Sequence, residues 1–412
     1  MNVSLVPLLL LALFPASLQS QSAKPVTTGA TVTPSPTPVR NGIDVLVATE
    51  FAALRGRRVG LITNHTGVAL DGRSTVELLH AADGVTLVAL FSPEHGFAGK
   101  LDGKVASGEH AGTGLTIHSL YGDHRKPTPA MLDGVDTLVF DIQDVGCRFY
   151  TYVSTMGLAL EAAAEAKVRF VVLDRPNPIG GTLCEGPITD DDALSFTAHH
   201  PIPLRHGMTV GELARMFAFE RRLDVDLQVV KMEGWTRRTE FDATGQFWID
   251  PSPNMRTPMQ ALLYPGVGLV EFTNVSVGRG TDTPFEVVGA PWIDGRALAA
   301  RLNAAELPGV RFVPIRFTPD ASKHANTPCE GVRILVVERR AVHAVRIGLA
   351  LCVALRDLHG DVWTMPQAAK LLADRAAFDA LAAGKSAQEI EATWTDELRA
   401  FVLRRERSLL YQ

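Results

Sequence analysis

The chain has 412 residues, 46% hydrophobic and 21% charged, enough to bury a large core and to build two domains. A formal net charge of −5, with no basic patch interleaved with aromatics, excludes a nucleic-acid partner of the usual electrostatic kind. The four cysteines, Cys147, Cys184, Cys329 and Cys352, are scattered, form no zinc-type CxxC pair and assign no disulfide by spacing.

Residues 1–20, MNVSLVPLLLLALFPASLQS, read as an export signal, because the apolar core at 5–13 is too short to span a bilayer comfortably. No cysteine follows to suggest a lipid anchor, so the expected product is secreted or periplasmic, without stable membrane insertion once the signal is removed. Residues 21–41 are rich in Thr, Pro and Ser and predict a disordered linker.

From residue 42 the pattern alternates between strand and helix. Apolar strands are expected at 58–63, 85–91, 137–140, 169–173 and 226–231, with a further strand at 115–120. Helices are expected at 74–82, capped by Ser74, at 149–167 and at 210–223. This order predicts a Rossmann-like, doubly wound parallel sheet over 42–247. Four strands run into polar tips: Asn64-His65, Glu94-His95, Asp141/Gln143/Asp144 and Asp174-Arg175-Asn177. Parallel strands bring those tips to one edge, where open α/β sheets hold their ligands. A glycine-rich stretch at 99–114 reads as a long loop able to act as a lid.

Near Trp248 the proline-rich PSPNMRTP joins a second, smaller α/β domain over 248–412. It carries a helix at 259–264, strands at 269–275, 310–317 and 332–338, and helices at 295–305 and 342–358. Two more helices close the chain, and SAQE at 386–389 caps the last but one. The polar loop 276–286 holds Arg279, Thr281, Asp282 and Glu286, and is expected to face the first domain across a cleft.

The first strand-to-helix turn, NHTGVALDG, lacks GxGxxG, and no Walker sequence occurs, so no nucleotide or other cofactor is expected. Nine histidines fall in the first half, but HExxH is absent and no metal site is expected. No GxSxG elbow supports a serine nucleophile. Metal-dependent hydrolysis stays a rival; beside it stands carboxylate acid–base work such as glycoside cleavage, which needs a protonated carboxyl at the leaving oxygen. Glu94 is the first candidate for that acid. Asp141, Asp144, Asp282 and Glu286 are candidates for a second carboxylate, and Arg175 and Arg279 offer guanidinium forks to an anionic substituent on a sugar.

Six segments in order, FSPEHGFAG, DIQDVGCRFYTYVSTM, LDRPNPIGG, RHGMTVGEL, PSPNM and SVGRGTDTPFEVVGAPW, resemble the NamZ-type exo-β-N-acetylmuramidases, glycoside hydrolase family 171. The resemblance runs from about Gly42 to the closing LRRERSLLYQ. It implies a Rossmann-like domain, a smaller C-terminal domain and a cleft between them. The implied activity is release of N-acetylmuramic acid from the non-reducing end of peptidoglycan fragments, with muramyl glycans as the partners and no oligomeric state assigned.

By the same resemblance Glu94 matches the family's catalytic glutamate; Asp141 and Asp282 fall in its motifs around the cleft, and our own reading makes them the accompanying catalytic carboxylates. Asn64, His65, His95, Gln143, Asp144, Asp174, Arg175, Asn177, Arg279, Thr281 and Glu286 are expected to bind substrate. Cys147 departs from the small residue expected there. A metal-dependent cell-wall hydrolase and a non-catalytic glycan-binding protein stay open as alternatives.

Overall fold

The computed structural model describes Met1 and residues 37–101 and 103–412. The expected export signal, and the expected linker up to residue 36, lie outside them. Residues 37–41 were expected to be part of that linker, but Val39 is buried against Met232 and Trp235, and its amide donates to the Thr244 carbonyl (2.8 Å). Asn41 then opens α1 (Gly42–Ala48) in a capping box with Asp44. One apolar side chain with a matching pocket is enough to end the linker early.

The main sheet contains β1 (Arg57–Thr63), β2 (Val85–Ser92), β3 (Gly108–Glu109), β4 (Thr116–Ser119), β5 (Thr137–Asp141), β6 (Arg169–Leu173) and, after the hairpin β7 (Glu185–Ile188) and β8 (Pro203–Arg205), β9 (Leu227–Val230). Its spatial order is β3-β4-β2-β1-β5-β6-β9, parallel throughout except for β3 against β4. The chain winds outward from β1 in one direction and then, from β5, in the other, so the topological switch falls between β1 and β5. Register sets Ile62 beside Phe91 and Phe140, and Phe140 beside Val172, which brings four strand ends level.

The pleat divides each strand between two cores. Leu61, Val139, Val171 and Leu173 pack on one face with Ile43 and Leu46 of α1 and with Val76 and Leu79 of α2 (Thr75–His80). Ile62, Phe140, Phe170 and Val172 pack on the other with α3 (Tyr152–Ala166) and α4 (Val210–Glu220).

After α5 (Pro258–Val267) come β10 (Val287–Ala290), α6 (Gly295–Asn303), β11 (Val310–Phe317) and β12 (Cys329–Val336), the three strands forming an antiparallel sheet with β12 central. Then α7 (Ala344–His359) packs on α5 so closely that Gly266 and Gly348 meet backbone to backbone. The second core of the main sheet continues without a break through Leu262, Val332 and Leu351, so the two halves of residues 37–412 pack as one compact unit.

Two expectations are corrected here. Residues 269–275 form no strand: α5 runs into a 3₁₀ turn at Gly268–Val270, and Leu269, Val270 and Val275 are buried there by packing alone. A short apolar run carries no period that separates these outcomes. The end of the chain holds four helices, not two: α8 (Ala369–Leu372), α9 (Arg375–Ala382), α10 (Ala387–Ala392) and α11 (Thr395–Arg405). The Ser386–Glu389 box caps α10 as the sequence indicates.

All four cysteines are free. Cys147 is fully buried, where burial raises its thiol pKa well above the ordinary value. Among the described residues no helix is long and apolar enough to cross a membrane.

Candidate active site

A cavity of about 900 Å³ is lined by residues from both halves of the chain. From the sheet half come Glu94 and His95 after β2, and Phe149, Tyr150, Thr151 and Tyr152 at the start of α3. From the other half come Tyr264 of α5, then Glu271, Arg279, Phe285 and Lys323.

Proline at 93 ends β2, and His95 and Gly96 take positive φ (67° and 75°), so the backbone turns sharply on either side of Glu94's neighbour. His95 Nδ1 donates to the Leu101 carbonyl (2.7 Å), which fixes the turn. Thr151 donates its hydroxyl to Glu94 Oε2.

The adjoining wall is aromatic. Phe149 and Tyr264 meet edge to face (4.9 Å), as do Tyr264 and Phe285 (4.6 Å) and Tyr150 and Tyr152 (4.9 Å). Burial raises the Tyr150, Tyr152 and Tyr264 hydroxyls above the ordinary value, so they are neutral donors. Tyr152 donates to the Pro251 carbonyl (2.5 Å) and ties α3 to the proline-rich connection. Arg148, fully buried, donates to the carbonyls of Leu371 and Leu372 (2.6 and 2.9 Å) and ties the α8 side of the cavity to the sheet.

Against the same aromatic wall, Arg279 Nε pairs with Glu271 Oε1 (2.5 Å) and its guanidinium lies over the Phe285 ring (5.5 Å). The Lys323 amine donates to the Glu271 carbonyl, and burial lowers its pKa. Lys370 sits over Phe272 (4.0 Å), and Arg125 over Phe196 (4.3 Å). Among the described lining residues, four Lys/Arg side chains face two carboxylates, Glu94 and Glu271.

Of the sequence candidates, only Glu94, His95 and Arg279 line this cavity. The other two expected catalytic carboxylates are elsewhere. Asp141 is fully buried, held by Arg175 Nε (2.5 Å) and Nη2 (3.0 Å) and by the Thr75 hydroxyl, which leaves it no access to a substrate. Arg175 is thereby committed too, with its remaining reach on the Val68 carbonyl (3.0 Å). Asp282 is wholly exposed, 3.9 Å from Arg256, and the neighbouring Thr281 donates to the Gly278 carbonyl (2.7 Å).

The remaining polar tips build the sheet edge. Asn64 accepts from Thr66. Gln143 donates to the Asp144 and Pro176 carbonyls (2.8 Å each), and Asp144 accepts from the Gly146 amide (2.7 Å). Asn177 donates to the Met208 carbonyl (3.0 Å). Asp174 accepts from Thr209, Gly211 and Tyr411, anchoring the start of α4 and the chain end. Glu286 is held by Gln260 (3.3 Å) and Arg333 (3.5 Å). His65 donates Nε2 to the Asp250 carbonyl (2.7 Å), and burial lowers its pKa, so the ring is neutral.

Sequence reasoning missed Thr151, the tyrosines, Glu271, Lys323, Lys370 and Arg125. The FYTY cluster lay inside a helix-like run. Glu271 was a single charge breaking the apolar segment 269–275, and that break was the available signal.

Acid–base glycan cleavage uses a pair of carboxyl groups, and this cavity is lined by two, Glu94 and Glu271. The comparisons specify the class. The N-terminal model of the exo-β-N-acetylmuramidase NamZ matches residues 59–259 and the C-terminal model residues 262–411. The peptidoglycan β-N-acetylmuramidase NamZ of Bacillus subtilis (strain 168) is 48% identical over 323 residues, 78% of each chain. Two crystal structures of DUF1343 family proteins from Bacteroides fragilis NCTC 9343 are similar in fold. One has a TM-score of 0.86 at 37% identity and the other 0.73 at 32%, each covering 91% of this chain and 99% of its own. This chain belongs to the NamZ exo-β-N-acetylmuramidase family and is a glycoside hydrolase.

Proposed function

We propose that the protein is an exported exo-glycosidase that removes terminal, non-reducing N-acetylmuramic acid from peptidoglycan fragments, with Glu94 as the general acid. The observation that carries the reading is Glu94's position: it is the sheet-edge carboxylate that lines the shared cavity, while Asp141, Asp144 and Asp174 are spent on structure. The bacterial relative is named for action on peptidoglycan.

In this mechanism Glu94 donates a proton to the glycosidic oxygen as the bond to the anomeric carbon breaks, and the sugar develops oxocarbenium character. Glu271, the second lining carboxylate, is held by Arg279 and serves to orient water or the substrate's acetamido group at that carbon. N-acetylmuramic acid carries a lactyl carboxylate, and the cation excess suits it. Arg279 and Lys323, which share Glu271 as a neighbour, are the groups assigned to it. Export to the periplasm or beyond rests on the first twenty residues.

A chromogenic N-acetylmuramide tests the reading. Release of the chromophore by the full chain, unchanged by EDTA, is expected. Loss on chelation with rescue by zinc would favour a metal-dependent hydrolase. Binding of the muramide without release would make the protein a glycan-binding protein.

A further inference from the structure

Away from the cavity, a hollow of about 290 Å³ is lined by Arg205, Arg237, Arg238, Arg339 and Arg340, with Glu240 as the one acid among its described lining residues. It shares no residue with the muramide cavity. Three of these arginines are already committed. Arg205 pairs with Glu185 (3.0 Å), Arg237 with Glu212 (2.8 Å), and Arg339 with Glu240 (2.5 Å) and Asp242 (2.9 Å).

Arg238 and Arg340 are exposed, and neither has a carboxylate within ion-pair distance among the described residues. Arg205 is 3% exposed, yet its Nε has no hydrogen-bond partner. The paired glycines of the LDRPNPIGG segment make room for this crowding. Gly180 has φ +77°, and a Cβ on Gly181 would stand 2.9 Å from Arg237 Nη2.

The hollow therefore keeps positive charge that no described carboxylate offsets, on Arg238 and Arg340, and an oxyanion bound there would offset it. A monocarboxylate satisfies one fork, whereas a tetrahedral dianion accepts from two forks at once. We infer that this hollow is a binding site for a phosphate-type dianion, held between Arg238 and Arg340 at the mouth.

Titration calorimetry with inorganic phosphate at constant ionic strength tests this on the full chain. The wild type should bind, and the Arg238→Ala/Arg340→Ala variant should bind at least ~10-fold more weakly, having lost two charge-assisted forks. Both side chains are exposed, so the variant should keep its circular dichroism and its muramide turnover. No heat with the wild type, or equal affinity in the variant, would overturn the site. Succinate binding as tightly as phosphate would overturn the choice of ligand.

Discussion

Thr151 occupies the cap position of α3 yet makes no cap hydrogen bond; its hydroxyl donates to Glu94 Oε2 instead. A threonine that would ordinarily satisfy a helix end is given over to orienting a carboxylate from a different strand. Glu94 thus reaches the cavity with one oxygen already held, and the loop after β2 and the start of α3 act as one device.

That arrangement makes Glu94→Gln the most direct test of the acid. The amide keeps the shape and loses the proton donor, so kcat on an N-acetylmuramide should fall about 10²–10⁴-fold with the melting temperature unchanged. Near-native turnover would remove Glu94 from the role.

Thr151 is a positioning residue. Thr151→Val should lower kcat about 10-fold, the scale of one lost hydrogen bond, and leave the stability of α3 intact. Thr151→Ser, which keeps the hydroxyl, should recover most of the rate. Equal loss in both variants would show that packing, not the hydrogen bond, matters.

The two candidate arginines should behave differently. Arg279→Ala and Lys323→Ala should reduce turnover of muramide more than of the matching glucosaminide, since only the former carries a carboxylate. Arg175→Ala strands buried Asp141 and should lower the melting temperature by several degrees, with no change in that ratio. Parallel losses on both substrates for Arg279 would make it structural.

Stability should carry the signature of Asp174. Burial pushes its carboxyl up to about 7 from an ordinary 3.8. Between those values the unfolded chain has released the proton and the folded chain retains it, so this group's contribution declines as pH rises from about 4 to 7. The melting temperature of wild type minus Asp174→Asn should therefore shrink across that window. A constant difference would place the native pKa near its ordinary value.

Alanine in place of a mid-helix glycine ordinarily stabilises by about 1 kcal/mol. Gly348 in α7 should do the opposite, because a Cβ there would stand 2.4 Å from the Gly266 carbonyl oxygen of α5. Backbone cannot yield as a flexible side chain does, so Gly348→Ala should cost about 1–3 kcal/mol in urea denaturation. An unchanged midpoint would mean the two helices can part freely.

Local pattern alone determined the parallel sheet, Glu94 just past the end of β2, the N-cap at Ser74 and the capping box at Ser386, because period, proline stops and cap chemistry act over a few residues. It did not separate polar tips that line a cavity from polar tips that hold the sheet edge together. Asp141 and Glu94 follow similar apolar strands, and only the third dimension gives Asp141 to Arg175 and Glu94 to the cavity. Glu271, Lys323 and Thr151 are far apart in the chain, and their part in the site depends on two halves sharing one core. Which carboxylates are spent on structure is a question of who lies across the fold, and that is decided by packing between distant segments.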